Sequence, residues 1–145
     1  MKISARNVFE GSITALVDGQ VNAEVEVTTA GGDRIVAVVT EGSVKSLGLA
    51  VGKLVMAFVK APWVIVMAGE GGNNGVRFSA RNQLAGTVQS IAKGAINSEV
   101  VIKLSGGTLV YAVITNDAVM ELGLAPGVPA SALIKASHVV LGVRA

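Results

Sequence analysis

Ser4-Ala5-Arg6-Asn7 recurs as Ser79-Ala80-Arg81-Asn82, letter for letter and 75 positions further on. Held at that offset, the two halves of the chain stay in register without a gap. Gly11 meets Gly86, Asn22-x-Glu24-Val25 meets Asn97-x-Glu99-Val100, and Gly31-Gly32 meets Gly106-Gly107. Ala37-Val38-x-Thr40 meets Ala112-Val113-x-Thr115, and Leu47-Gly48-Leu49-Ala50-x-Gly52 meets Leu122-Gly123-Leu124-Ala125-x-Gly127. Lys60-Ala61-x-x-Val64 then meets Lys135-Ala136-x-x-Val139. Roughly a third of the aligned positions are identical, the mark of a tandem duplication. The period is too long for a solenoid unit and suits a small domain made twice: module one at 1–68 and module two at 78–145, with a linker at 69–77. The linker stretch Gly69-Glu70-Gly71-Gly72-Asn73-Asn74-Gly75 is not followed by the Gly-Lys-Ser/Thr of a phosphate loop, so it reads as a flexible connection.

Composition bounds what such modules can be. Each is near the lower size for independent folding, so they are expected to lean on each other or on further subunits to bury enough surface. The chain is 51% apolar and only 15% charged, yet its apolar runs are as short as Trp63 to Ala68, far below a bilayer span. The excess apolar residues are expected in cores and subunit interfaces. Met1-Lys2-Ile3-Ser4 meets charge and turn too soon for a signal peptide, and there is no cysteine for disulfides or thiolate metal sites. Both features point to the cytoplasm. A net charge of +2 suits small anions and falls short of a nucleic-acid footprint.

Each module reads as strands. Glu24-Val25-Glu26-Val27 alternates with period two, as a half-buried strand does. Gly31-Gly32-Asp33 supplies a hairpin turn, and Arg34 to Val39 returns through the core. Val44, Leu47 and Leu49 then recur near helical spacing, with Thr40 or Ser43 as the cap and Gly48 at the end. A last strand pair is expected at Leu54 to Val59 and Trp63 to Met67, broken at Ala61-Pro62. Module two repeats this order: strands at Leu84 to Ile91, Ile96 to Leu104 and Leu109 to Thr115, a helix near Asp117 to Leu122, and strand again from Pro129 to Leu141. About five strands and one short helix per module predict an all-β fold of two OB-like Greek-key barrels.

Catalytic chemistry finds little support. The single histidine, His138, faces Trp63 in the alignment, and a position that takes either ring reads as packing. No cysteine or histidine cluster exists for a bare metal cation. Glu24/Glu99 is the one carboxylate the modules share; it sits in an alternating strand, reads as part of a solvated face, and lacks the partner that two-carboxylate chemistry needs.

The polar residues both modules keep are Ser4/Ser79, Arg6/Arg81, Asn7/Asn82, Asn22/Asn97, Thr40/Thr115 and Lys60/Lys135. Nearly all are donors. Ser4-x-Arg6 would put a hydroxyl and a guanidinium on one side of an extended segment. Lys60 stands at the Ala61-Pro62 break, and Thr40 precedes a helix start with unpaired N–H groups. Such a set describes an oxyanion pocket, in which each charge-assisted hydrogen bond contributes about 1.5–3 kcal/mol. It equally describes solvated charges beside a turn shaped by Ser4 and Asn7, and residue chemistry does not separate the two.

In order and spacing these motifs resemble the Mop domain, the molybdate- and tungstate-binding module of molbindins and of molybdate-responsive regulators. The resemblance covers both modules. It implies an OB-like fold with shared strands, a trimer of tandem chains, and molybdate or tungstate held between modules, with no organic cofactor. The site carried over uses Ser4, Arg6, Asn7, Thr40, Ser43, Lys60 and the Ala61 backbone. Its copy uses Ser79, Arg81, Asn82, Thr115, Lys135, Ala136 and Ser137; Ala118 stands where module one has Ser43, and Ser137 where it has Pro62. A second kind of site is implied at Gly19, Val21 and Asn22, and at Gly94, Ile96 and Asn97.

The function expected is therefore non-catalytic molybdate binding for intracellular storage and homeostasis. An anion-sensing subunit acting on a partner is the alternative. A nucleic-acid-binding OB module is a weaker one, because Phe9, Phe58, Trp63, Phe78 and Tyr111 form no stacking stripe along a basic groove. No membrane partner is expected.

Overall fold

The computed structural model describes residues 1–69 and 75–145, so most of the expected linker lies outside the described residues. Module one runs β1 (Asn7–Asp18), β2 (Asn22–Thr29), β3 (Arg34–Thr40), α1 (Glu41–Leu47), β4 (Leu54–Val59), a 3₁₀ turn (Ala61–Trp63) and β5 (Ile65–Ala68). Module two repeats it as β6 (Asn82–Lys93), β7 (Asn97–Leu104), β8 (Leu109–Thr115), α2 (Asn116–Glu121), β9 (Pro129–Ile134), a 3₁₀ turn (Ala136–His138) and β10 (Val140–Gly142). The chain is nearly all β, in two curled five-stranded sheets.

The sheets are ordered β10-β4-β1-β2-β3 and β5-β9-β6-β7-β8. Each module therefore surrenders its last strand to the other. Val140 pairs with Phe58 and Leu141 with Ala57, while Ile65 pairs with Leu133 and Ala68 with Ala130. The expected pairing of Leu54–Val59 with the strand after it is thus corrected: β4 takes β10 instead. The reason is local backbone. A hairpin reversal calls for positive-φ residues, whereas Lys60 (φ −70, ψ 134) and Val64 (φ −86, ψ 123) are extended on either side of the Pro62 turn. The chain steps across to the neighbouring sheet rather than folding back.

Burial follows the strand period where one face meets solvent. In β2, Ala23, Val25 and Val27 are buried while Glu24 and Glu26 are half-buried. Strands β4 and β9 are buried along nearly their whole length, being flanked on both sides. Phe9, Ile13, Val27, Ile35, Val64 and Val66 join Val88, Val100, Ile102, Val110, Val139 and Leu141 in a single hydrophobic cluster. The exchanged strands thus weld two small cores into one, which answers the size problem of a lone module. Neither helix buries a residue fully; Val44, Leu47, Val119 and Leu122 lean on the cluster.

The two hairpin turns meet at the pseudo-two-fold axis. A Cβ on Gly31 would strike the Gly106 carbonyl, and one on Gly106 would strike Asp33. Glycine is kept at both because two backbones touch there.

Candidate functional site

Ser4 and Arg6 sit at bends just ahead of β1, and Ser79 and Arg81 at the matching bends ahead of β6; the extended segment expected there begins only at Asn7. The bends turn each guanidinium toward the other module. Arg6 Nε donates to Glu99 Oε2 at 3.0 Å and Nη2 to Oε1 at 3.2 Å. The same group lies 4.1 Å from the Tyr111 ring centroid, a cation–π contact. Arg81 clasps Glu24 in the same way, through Nε at 3.2 Å and through Nη2. Glu24 and Glu99 are therefore half-buried partners across the module boundary rather than a solvated face, and the donor set is not free of acids. The hydrogen bond from Arg81, with its charge, holds the Glu24 carboxyl below its ordinary range against the opposing effect of desolvation.

Asn7 and Asn82 are 1% and 2% exposed. Asn7 Nδ2 donates to the Tyr111 carbonyl at 2.8 Å, and Tyr111 N donates back to Oδ1 at 2.7 Å. Asn82 makes the same pair with Val36, at 2.8 and 2.7 Å. Each amide side chain acts as a rung on the exposed edge of the other module's β8 or β3. Both were expected among the anion donors; the structure places them as struts, with both amide atoms committed to backbone.

Arg6 and Arg81 come one residue before the pairs Asn7↔Val59 and Asn82↔Ile134, and Lys60 and Lys135 come one residue after them. Beyond each lysine the 3₁₀ turn crosses over: Ala61–Trp63 packs on β8 and Ala136–His138 on β3. Within one chain, then, Arg6 and the Ala61–Trp63 turn meet the strand that ends at Thr115, and the Ala136–His138 turn meets the strand that ends at Thr40. The resemblance set the anion between modules, and the contacts made by Arg6, Arg81 and the two 3₁₀ turns run across the module boundary.

The threonines cap their short helices. Thr40 Oγ1 accepts from Ser43 N at 3.1 Å and donates to Ser43 Oγ at 2.9 Å, so the Ser43 hydroxyl keeps its own proton to donate. Thr115 Oγ1 accepts from Ala118 N at 3.1 Å, and Ala118 has no hydroxyl to receive its proton. The turns expected as a second site are tight: Gly19 N donates to Asn22 O at 2.9 Å and Gly94 N to Asn97 O at 2.8 Å. A Cβ at either glycine would meet that carbonyl. Val21 and Ile96 stand 73% and 75% exposed at the tips.

Two features lie on the axis itself. The Trp63 and His138 rings pack 5.2 Å apart at a 43° tilt, so the aligned pair is also a contacting pair. Asp33, read from sequence only as a turn residue, accepts from Gly106 N at 3.1 Å and Thr108 N at 3.2 Å. It fastens one hairpin to the other; its one visible signal was that module two has Thr108 at the same place. Among the described residues no three His, Cys, Asp or Glu side chains gather to hold a metal, and no helix is long and apolar enough to cross a membrane. What the arrangement shows is two equivalent regions at the module boundary, each with a guanidinium held by a carboxylate of the other module and a 3₁₀ turn that crosses over.

Comparison with known proteins identifies the relatives of this chain. The TOBE domain matches at residues 3–66 and again at 79–141. The chain is 44% identical to the molybdenum-pterin-binding protein MopA of Rhodobacter capsulatus over 143 residues, 99% of this chain and 53% of that protein. It is 43% identical to the molybdenum transport protein ModE of Azotobacter vinelandii, over 99% of this chain and 52% of that one. The chain thus spans about half the length of these curated relatives. A crystal structure of the cytoplasmic molybdate-binding protein ModG with molybdate bound superposes with a TM-score of 0.93 at 56% identity, covering 99% of this chain and 100% of that one.

Proposed function

The chain belongs to the TOBE-domain family in two tandem copies, and from that premise we propose that it is a non-catalytic, cytoplasmic binder of molybdate and tungstate serving intracellular molybdenum storage. The observation that carries this reading is its end-to-end likeness to molybdate-bound ModG at 56% identity, combined with the arginine and the lysine that both modules keep. The anion is assigned to Ser4, Arg6, Lys60 and the Ala61 backbone in one cluster, and to Ser79, Arg81, Lys135, Ala136 and Ser137 in the other. Thr40, Ser43 and Thr115 supply hydroxyls. Asn7 and Asn82 hold the clusters together without touching the ligand.

Selectivity has a physical basis. Molybdate is a proton-free dianion at neutral pH and suits a pocket of donors. Protonated phosphate would bring a hydroxyl that finds no acceptor there, at the cost of an unmatched polar group. Sulfate has the same charge, so size must exclude it.

The clusters are open to solvent in one chain, and Val17, Val21, Leu54 and Ile96 are 65–76% exposed. Exposed aliphatic groups of this kind are characteristic of interfaces, and we assign them to a homotrimer that also completes the anion sites, with the Gly19–Asn22 and Gly94–Asn97 turns forming a second class. A second reading, an anion-sensing module that signals to a partner, is favoured by the 43% identity to ModE. Calorimetric titration with molybdate, tungstate, sulfate and phosphate at known oligomer concentration tests the proposal. Micromolar or tighter uptake of the first two is expected, and equal competition by phosphate would sink it. A pull-down with and without molybdate separates sensing from storage.

A further inference from the structure

We propose that Glu24 and Glu99 are internal competitors of the bound oxyanion and thereby set its affinity. The inference rests on the reading that Arg81 and Arg6 receive the anion.

The geometry is the same in both modules. Each carboxylate takes the Nε–Nη2 edge of a guanidinium with both oxygens, at 3.0 and 3.2 Å for Arg6 and Glu99. That edge is a preferred bidentate docking face for any oxyanion. One face of Arg6 is already covered by Tyr111 at 4.1 Å, so an arriving ligand finds one face and one edge occupied. The glutamates are the better anchored partners. Glu99 and Glu24 lie within β7 and β2, their backbones held by the registers Glu99↔Val113 and Glu24↔Val38, and their side chains are 28% and 38% exposed.

The arginines are the mobile partners, at 54% and 57% exposure on the bends before β1 and β6. Ion pairs this open are weak, and a doubly charged ligand can displace a singly charged carboxylate. The dianion then sits beside a carboxylate it has dispossessed, and like charges repel. The Glu–Arg pair thus lowers affinity twice, by occupying the donor and by its charge. Because each pair bridges the modules, anion uptake also exchanges a cross-module tie for a ligand contact.

Glu99→Gln and Glu24→Gln keep the shape and remove the charge. In calorimetric titration of the full chain with molybdate, each variant is expected to bind one class of site about three- to tenfold more tightly than the wild type. The melting temperature without ligand should fall slightly, since an ion pair is lost. Opposite signs in the two readouts are what a merely structural role would not produce. Unchanged affinity in both variants overturns the proposal. Weaker binding also overturns it, and would mean that the glutamates orient the arginines. A wild type that takes up no molybdate at all overturns the assigned function, and this inference with it, whereas wild-type binding with inert variants overturns the inference alone.

Discussion

Module one and module two carry the same fold, yet they differ most where they touch. Away from the axis the contacts are reciprocal: Asn7 on Tyr111 mirrors Asn82 on Val36, and Arg6 on Glu99 mirrors Arg81 on Glu24. On the axis they are unlike. Asp33 meets the backbone of Gly106 and Thr108, and Trp63 meets His138. In a dimer of identical modules an axial residue faces its own copy, and two aspartates would oppose each other. Joining the modules in one chain frees those positions to become complementary. The same freedom reaches the clusters: Ser43 and Ser137 both fall on the side of Arg81, whereas Ala118 and Pro62 fall on the side of Arg6.

The sharpest test of reciprocity is removal of the struts. Asn7→Ala and Asn82→Ala each leave a paired N–H and C=O without partners, and each is expected to destabilise the chain by about 2–4 kcal/mol in urea unfolding. Clearly unequal values would break the equivalence of the two edges. Next come the clusters. Arg6→Ala and Arg81→Ala should each weaken one class of molybdate site by about tenfold or more and spare the other, and Ser43→Ala should weaken only the class that Arg81→Ala affects. Calorimetry that finds all sites weakened together would dissolve the distinction between clusters.

On the axis, Asp33→Ala should destabilise by about 1–2 kcal/mol through two part-buried N–H groups that lose their acceptor, against about 0.5 kcal/mol or less for Thr108→Ala. The smallest expected effect is acid sensitivity at Glu24. Its carboxyl sits below the ordinary 4.5 in the folded chain. Its contribution is therefore complete above that value and fades as pH falls through the lowered one. Melting curves should show wild type above Glu24→Gln at pH 6, with the gap narrowing as the solution is acidified below 4.5; a constant gap would mean the charge is not what stabilises.

Much of this was legible along the chain. The alternation in Glu24 to Val27, the Gly31-Gly32 reversal and the Thr40 cap each depend on neighbours a few residues away, and all three stand as read. The arginines and lysines were legible as a set because duplication preserved them. Their partners were not. Nothing near Arg6 in the chain points to Glu99, and Asn7 looked like a donor for a ligand because its true acceptor is a backbone carbonyl on a strand 104 residues away. Asp33 was hidden for the same reason: its contacts are main-chain N–H groups, which every sequence possesses.

By itself the sequence determined that one small β module is built twice, where its strands and turns fall, and which donors both copies keep. These are short-range matters of periodicity, capping and glycine placement. Tertiary structure alone decided that β5 and β10 change places. Ile65-Val66 and Val140-Leu141 have the same apolar pattern and the same offset from their turns, so either strand could satisfy either sheet as far as local preference goes. What separates the two solutions is the direction in which Lys60-Ala61-Pro62 and Lys135-Ala136-Ser137 leave β4 and β9, and the single shared core that the exchange creates.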